Sequence, residues 1–487
     1  MACEQVTLQD VCELIVDCPH TSAKDEGVGY PLIRTPNVGR GRLILTDVHR
    51  VSQDVYERRV SRAVPRQGDL ILAREAPAGN VAIVSPGIEV CLGQRTMLLR
   101  PDSSFVVPEY LNYYLNAPEQ RDRMLRLANG ATVSHINVAD IRNMPVQLPS
   151  RGEQSKVAEL LNVLDDKIDL NNRLNDYLEQ CLLARYDHLF RGAGTYNGTI
   201  SDIGDVVGGA TPSKKRPEYY CHEGIGWITP KDLSNTTNKF VAHGADDITR
   251  VGFDSCSIKK LPAGTVLFSS RAPIGYIAIA SDEVTTNQGF KSIVPHKEIG
   301  TAFVYCFLVR NKDRIADAGS GTTFPEVSGK TMAGIELTLP NINLCAKFEE
   351  WASPLLEEQR HLEDENRQLE DLRDTLLPKL MSGEIDVSKV DLTQLTNNHL
   401  PARGHNVPNR YWKGRLWKPS LIMFCRRCRT CLIRHSSNIW LKYSESRCCQ
   451  LRKHQRRRIC WRCFSRQKRS KAARRKPSLT MKARFST

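Results

Sequence analysis

Gly130-Ala-Thr-Val-Ser-His-Ile-Asn137 runs on into Ile141-Arg-Asn-Met-Pro-Val-Gln-Leu-Pro149, and both are answered later in the chain. The counterparts are Gly321-Thr-Thr-Phe-Pro-Glu-Val-Ser328 and Met332-Ala-Gly-Ile-Glu-Leu-Thr-Leu-Pro340. Gly130 to Gly321 and Pro149 to Pro340 are the same step along the chain, so the match has no gap. Upstream, Pro65-Arg-Gln-Gly-Asp-Leu-Ile-Leu pairs with Pro262-Ala-Gly-Thr-Val-Leu-Phe, and Ala76-Pro77-x-Gly79 pairs with Ala272-Pro273-x-Gly275. Ile33-Arg-Thr-Pro-Asn37 roughly matches Ile228-Thr-Pro-Lys-Asp232. The landmarks keep one order in both halves, which marks an internal duplication.

Each copy reads as mixed α/β. Asp69-Leu-Ile-Leu-Ala and Thr265-Val-Leu-Phe-Ser are short apolar runs bounded by Gly and Pro, the pattern of buried strands. Tyr110-Leu-Asn-Tyr-Tyr-Leu and Phe303-Val-Tyr-Cys-Phe-Leu have the spacing of short buried helices.

A long helix is expected after each copy. Over 153–190, Leu161, Leu164, Ile168, Asn171, Asn175, Leu178, Leu182 and Leu189 fall on one stripe. Over 346–380, Phe348, Leu355, Leu362, Leu369 and Leu376 recur every heptad, with Trp351 and Leu372 beside them. Leu161, Leu164, Ile168, Leu355, Leu362 and Leu369 are the expected seam. Asn171 and Asn175 place polar groups in it, a device that fixes register. Pro378 and Gly383 are the expected stop, and carboxylates such as Glu363 and Glu370 face outward. A helix of this length spans roughly 50 Å. Two of them, antiparallel, form a coiled-coil spacer between the copies; the plainer alternative is that each only covers its own domain. The expected boundaries are 1–150, 151–190, 191–345, 346–390 and 391–487.

The net charge of +15 is misleading. Residues 391–487 carry 26 Lys and Arg against two Asp and Glu, leaving the first 390 acidic at −9. Total charge therefore gives no argument for nucleic-acid binding by the body. Nine of the 16 cysteines are scattered through that body without metal-ligand spacing, as in a reduced, cytoplasmic protein. MACEQVTLQD lacks the pattern of a secretory leader, and no apolar run reaches membrane-spanning length.

Catalytic patterns are missing. Gly329-Lys330-Thr331 looks like the end of a phosphate-binding loop, but Phe324 stands where that loop needs Gly. Gly319-Ser-Gly321 lacks the third Gly of a dinucleotide site. His20, His135 and His188 have no triad or metal-ligand neighbours in the sequence. No metal or cofactor is expected on this chain.

Two copies of a mixed domain, each followed by a long helix, resemble the DNA-specificity subunits of type I restriction–modification enzymes. Glu153-Gln-Ser-Lys-Val-Ala-Glu-Leu-Leu-Asn is similar to that family's central spacer helix. Leu376-Leu-Pro-Lys-Leu-Met-Ser-Gly-Glu-Ile-Asp resembles its usual ending, and Gly226-Trp-Ile-Thr-Pro-Lys-Asp-Leu an early turn of its second recognition domain. The resemblance covers about residues 5–390. It implies two target recognition domains, each reading half of a split sequence in double-stranded DNA. It implies two methyltransferase subunits as partners, with translocase–nuclease restriction subunits joining to cut. S-adenosylmethionine, ATP and Mg would then belong to those partners, and this chain would be no enzyme. A coiled-coil scaffold that binds proteins and not DNA is the alternative; a fused single-chain enzyme would need motifs that are missing.

The expected DNA contacts are positional. In the first copy they are Arg34, Asn37, Arg40, Arg42, Arg74, Gln94, Arg95, Thr132 and Ser134. In the second they are Lys214, Lys215, Arg216, Lys231, Arg271, Gln288, Lys291, Thr322 and Thr323. The alternative for each is an ordinary surface charge or turn former. The tail breaks every pattern. Cys425-x-x-Cys428-x-x-Cys431 and Cys460-x-x-Cys463 suggest zinc, the charge suggests a disordered basic arm, and the composition fits an out-of-frame extension.

Overall fold

The computed structural model describes residues 4–75, 77–128, 135–190, 196–271, 273–320 and 325–387, together with three strands of the tail. Its contacts divide the chain into Met1–Leu400 and Pro401–Thr487.

The duplication is one sheet built twice. In the first module the order is Cys12–Asp17, Thr96–Pro101, Leu70–Ala73, Val81–Ile83, Gly41–Arg42. In the second it is Gly204–Gly208, Lys291–Pro295, Val266–Phe268, Ile277–Ala280, Phe240–Val241. The neighbours are antiparallel except the last pair, which is parallel in both. The expected runs supply the central strands, where Leu70, Ile71, Leu72, Val266, Leu267 and Phe268 are wholly buried. Each module also ties its own ends together, Glu4–Thr7 with Pro145–Leu148 and Tyr196–Thr199 with Glu336–Leu339.

The buried helices differ by one proline. The second module has a single helix, Thr301–Asp317. The first has Pro108–Asn116 and Pro118–Leu127, parted at Ala117 (φ −60°, ψ 144°), because the residue before proline avoids the helical region.

The two long helices, Arg151–Phe190 and Ile342–Met381, have 40 residues each and span roughly 60 Å. They run antiparallel, since Arg373 meets Asp165 near one end and Gln359 Nε2 donates to the Asn175 carbonyl nearer the other. Each end belongs to a module. Leu160, Leu161, Leu377, Leu380 and Val387 lie in the first module's core. Leu182, Tyr186, Phe348, Ala352 and Leu356 lie in the second's. Leu164, Ile168 and Leu369 pack between these cores.

At the middle, Asn171 Nδ2 donates to Asn366 Oδ1 at 2.9 Å, and Asn366 Nδ2 to Asn172 Oδ1 at 2.8 Å. Asn171 pairs with Asn366 and not with Leu362, its counterpart at the Pro149-to-Pro340 step, so the layer joins positions about one helical turn off equivalence. Asn171 sits in the seam as expected, and a satisfied buried amide layer fixes one register.

Several expectations need correcting. Leu355 is half-buried, and the residue facing the seam is Leu356; a straight helix drifts from a strict heptad. Leu362 and Leu369 are buried as expected. Pro378 lies inside the helix. Its missing N–H removes one ladder bond, while Leu377 and Leu380 on either side are held by the first module's core. The stop is Gly383, whose φ of +75° suits glycine. Glu363 faces inward, accepting the backbone N–H groups of Lys239 (2.9 Å) and Phe240 (3.0 Å). It thereby seats the edge strand of the second module, and burial pushes its carboxyl above the ordinary value.

Gly329-Lys330-Thr331 opens a five-residue helix capped by Ser328 Oγ on Thr331 N–H at 3.0 Å, an end-cap and not a phosphate loop. In the tail, Ile422–Cys425, Thr430–Arg434 and Trp440–Lys442 form an antiparallel sheet where no strand was expected; these short runs of apolar and aromatic residues are strand formers. Cys428, Cys460 and Cys463, on which the zinc reading rests, lie outside the described residues, as does most of the basic arm.

Candidate functional site

The two Ala-Pro-x-Gly loops are the same turn. Gly79 N–H donates to the Ala73 carbonyl at 2.8 Å, and Gly275 N–H to that of Ser269 at 2.9 Å. Their φ values of +82° and +96° are open to glycine without strain. Beside each turn the next strand is held alike, Arg74 N–H on the Arg95 carbonyl (2.8 Å) and Ser270 N–H on that of Gly289 (2.7 Å). These bonds equate Arg74 with Ser270, Arg95 with Gly289 and, one residue earlier, Gln94 with Gln288. Arg271 is thus the counterpart of Glu75, not of Arg74. A further backbone bridge joins Glu75 to His135 and, in the same place, Arg271 to Glu326.

In the first module this geometry gathers Asp17, His20, Arg74, Glu75, Gln94 and Arg95. Arg95 Nε lies 2.8 Å from Glu75. Gln94 Nε2 donates to the His20 carbonyl at 3.0 Å, and His20 Nε2 lies 3.2 Å from Asp17. Arg34 packs its side chain against Gly93 at the edge of this group. Arg95 has φ +66°, the left-handed region that side chains other than glycine enter at a cost of about 1–2 kcal/mol. The equivalent Gly289 of the other copy does not share the positive φ, so the strain is particular to the first module, and strain of this kind gathers at functional positions.

In the second module Glu326 sits between Arg271 Nε at 3.0 Å and Lys291 Nζ at 3.5 Å. Burial alone would raise its carboxyl; the two cations hold it below the ordinary glutamate value. Thr211 Oγ1 hydrogen-bonds Gln288, tying in the exposed loop of Lys214, Lys215 and Arg216. Pro230, next to Lys231, stands close to Gly289. Arg271, Gln288, Lys291, Lys231 and the 214–216 loop are therefore one neighbourhood.

Three first-copy residues are engaged by partners within the protein. Asn37 is buried: its Oδ1 accepts Arg34 N–H and its Nδ2 donates to the Ile44 carbonyl, both at 3.2 Å. Arg42 reaches the first long helix, 2.7 Å from Asp166 and 2.6 Å from Asp169. Arg74 is engaged by Asp17 at 2.6 Å and is 11% exposed. Within this chain all three therefore have internal partners, although Arg74 Nε is a buried donor without one. Arg40 is exposed and stands by Arg121 instead, whose guanidinium is held down by burial and then by Arg40. Thr132, Ser134, Thr322 and Thr323 lie outside the described residues. Glu75 and Glu326 were not among the expected residues, which were cations, amides and hydroxyls. One signal was present: His135 and Glu326 occupy the same place after the repeated Gly.

Among the described residues, no group of three or more His, Cys, Asp or Glu is placed to hold a metal. Paired cations, amides and carboxylates at the ends of sheet strands suit hydrogen-bonded recognition of a polyanion whose bases carry donors and acceptors.

Comparison with known proteins gives one family. The Type I restriction modification DNA specificity domain matches residues 2–180 and again 195–344. The HindI specificity subunit of Haemophilus influenzae is 23% identical over 402 residues, covering 66% of this chain and 87% of that one. The MjaIX specificity subunit of Methanocaldococcus jannaschii is 43% identical over 145 residues, which is 29% of this chain and 33% of that subunit. The crystal structure of the type I S subunit from M. genitalium aligns with a TM-score of 0.49 at 17% identity, covering 78% of this chain and 96% of that one.

Proposed function

The chain belongs to the type I restriction–modification DNA specificity family, and from that premise we propose that it reads a split DNA target for partner subunits that methylate and cut. The observation that carries this reading is the matched pair of polar surfaces, Glu75–Arg95 with Gln94 and Glu326–Arg271–Lys291 with Gln288, on two copies of one sheet. Each surface reads one half-site; phosphate contacts set position and base contacts set sequence. The helix between its two module seats, Leu161 to Leu182, rises roughly 30 Å. One DNA turn is about 34 Å, so the spacer has the scale to present two half-sites on one side of the duplex.

In this reading the chain is non-catalytic and acts in the cytoplasm. Two methyltransferase subunits bring S-adenosylmethionine, and restriction subunits bring ATP and Mg. The outer face of the first long helix suits the methyltransferase contact. Leu170 and Tyr177, one heptad apart, are 60% and 56% exposed, as anchors for a partner helix are. Leu170→Glu with Tyr177→Glu is expected to abolish co-purification of a co-expressed methyltransferase while leaving the melting midpoint unchanged.

The test of function is a genome-wide map of methylated adenines with and without this chain, in cells that supply the methyltransferase. One split motif should appear only when the chain is present; no motif would refute the reading. In the same complex, Arg95→Gly is expected to stabilise the fold by about 1 kcal/mol through relief of the left-handed strain, measured by urea unfolding, while weakening binding of the first module's half-site.

A further inference from the structure

Each polar surface holds a carboxylate at its centre, although DNA is a polyanion. A carboxylate there weakens phosphate binding at every sequence alike. Stability does not account for it. Arg95 and Arg271, the nearest partners of Glu75 and Glu326, are 55% and 47% exposed, and ion pairs with so exposed a member contribute little to folding; the more buried Lys291, 15% exposed, stands farther from Glu326 at 3.5 Å. Descent from one ancestral residue does not account for it either. Across the equivalent backbone bridges the acid has changed sides, lying at Glu75 opposite His135 in one copy and at Glu326 opposite Arg271 in the other. In both it still lies within 3.0 Å of an arginine nitrogen.

A base edge offers such a carboxylate two outcomes. The amino groups of cytosine and adenine donate to it, whereas guanine O6 and thymine O4 repel it. We propose that Glu75 and Glu326 are specificity-determining residues, one per module, each restraining its neighbouring cations and accepting a base amino group at the correct half-site. At that site the released Arg95, or Arg271 with Lys291, turns to nearby phosphates. At a wrong base the pair stays closed and binding is weak. This inference rests on the DNA-reading function above and adds the residues that discriminate.

The experiment uses the full chain with its methyltransferase partners. Methylated motifs are mapped for the wild type, Glu75→Gln and Glu326→Gln, and binding to the mapped site and to a scrambled duplex is measured across a KCl series. Glu326→Gln is expected to relax one half of the motif and spare the other, and Glu75→Gln to do the converse. Discrimination between the two duplexes should fall about tenfold or more. The salt slope should steepen by about one for each freed cation that reaches a phosphate. The spared half is the control for folding. Unchanged motifs and slopes in both variants overturn the proposal, as does loss of both halves together, which marks a merely structural role. A wild type that directs no split motif sinks the DNA-reading function itself, a result distinguishable from either.

Discussion

Phe348→Ala is expected to destabilise the protein by about 3–5 kcal/mol and to loosen the second module's hold on both long helices. Phe348 is 1% exposed. Its ring lies 5.4 Å from Phe190 edge-on, 6.1 Å from Tyr186 and 6.0 Å from Trp351. Phe190 in turn meets Phe303 edge-on at 4.9 Å. Phe348 thus joins the end of the first long helix, the start of the second and the module between them. Its removal leaves a cavity that three elements cannot collapse to fill together, and edge-on ring contacts are lost as well. Leu355→Ala, one heptad on, is the internal control. Leu355 is only half-buried, so its truncation should cost well under 2 kcal/mol. Urea unfolding of both variants checks the pair. Equal losses would mean that the strict heptad, not Leu356, marks the seam.

That contrast shows what the sequence could and could not carry. The repeat was legible because Gly, Pro and short apolar runs report backbone geometry directly, and backbone geometry is what the copies share. The helices were legible from their period, and Asn171 as a seam residue from its place on the stripe. Which heptad neighbour turns inward was not, since Leu355 and Leu356 are equally apolar and the choice depends on where Ala352 and Phe348 meet the second module. The role of Arg42 was not legible either. Its partners Asp166 and Asp169 are more than a hundred residues away, and nothing local distinguishes an arginine that anchors a module from one that reaches a phosphate. Glu363 was read as outward for the same reason: a carboxylate on a long helix is usually solvated, and only the backbone of Lys239 and Phe240 lying against it makes it a buried acceptor.

The same distinction predicts an asymmetry between the two modules. Lys239 just precedes the edge strand Phe240–Val241 of the second sheet, and Arg42 lies in the matching edge strand of the first. Both basic side chains reach the first long helix. Lys239, however, is 9% exposed. Its Nζ pairs with Glu179, donates to Gln359 Oε1 at 2.6 Å and lies 4.7 Å from the centre of the Tyr305 ring. Tyr305 OH also donates to Glu179 at 3.0 Å, and burial, then Glu179, pushes the phenol's pKa well up. Lys239→Ala leaves the Glu179 carboxylate and the Gln359 oxygen without their cation in a low-dielectric setting, a loss of about 3–5 kcal/mol. Arg42 is 37% exposed and its partners Asp166 and Asp169 are 71% and 34% exposed, so Arg42→Ala should cost about 1 kcal/mol. Chemical unfolding of the two variants gives the comparison. The functional consequence follows from geometry. Lys239, Tyr305 and Glu363 together fix the angle at which the second module leaves the helix pair, so a surviving Lys239→Ala protein should tolerate a wider range of half-site spacings than Arg42→Ala does. Binding to duplexes whose two half-sites are separated by one base pair more or fewer measures this, and equal spacing tolerance in the two variants would show that the helix seam alone holds the modules in place.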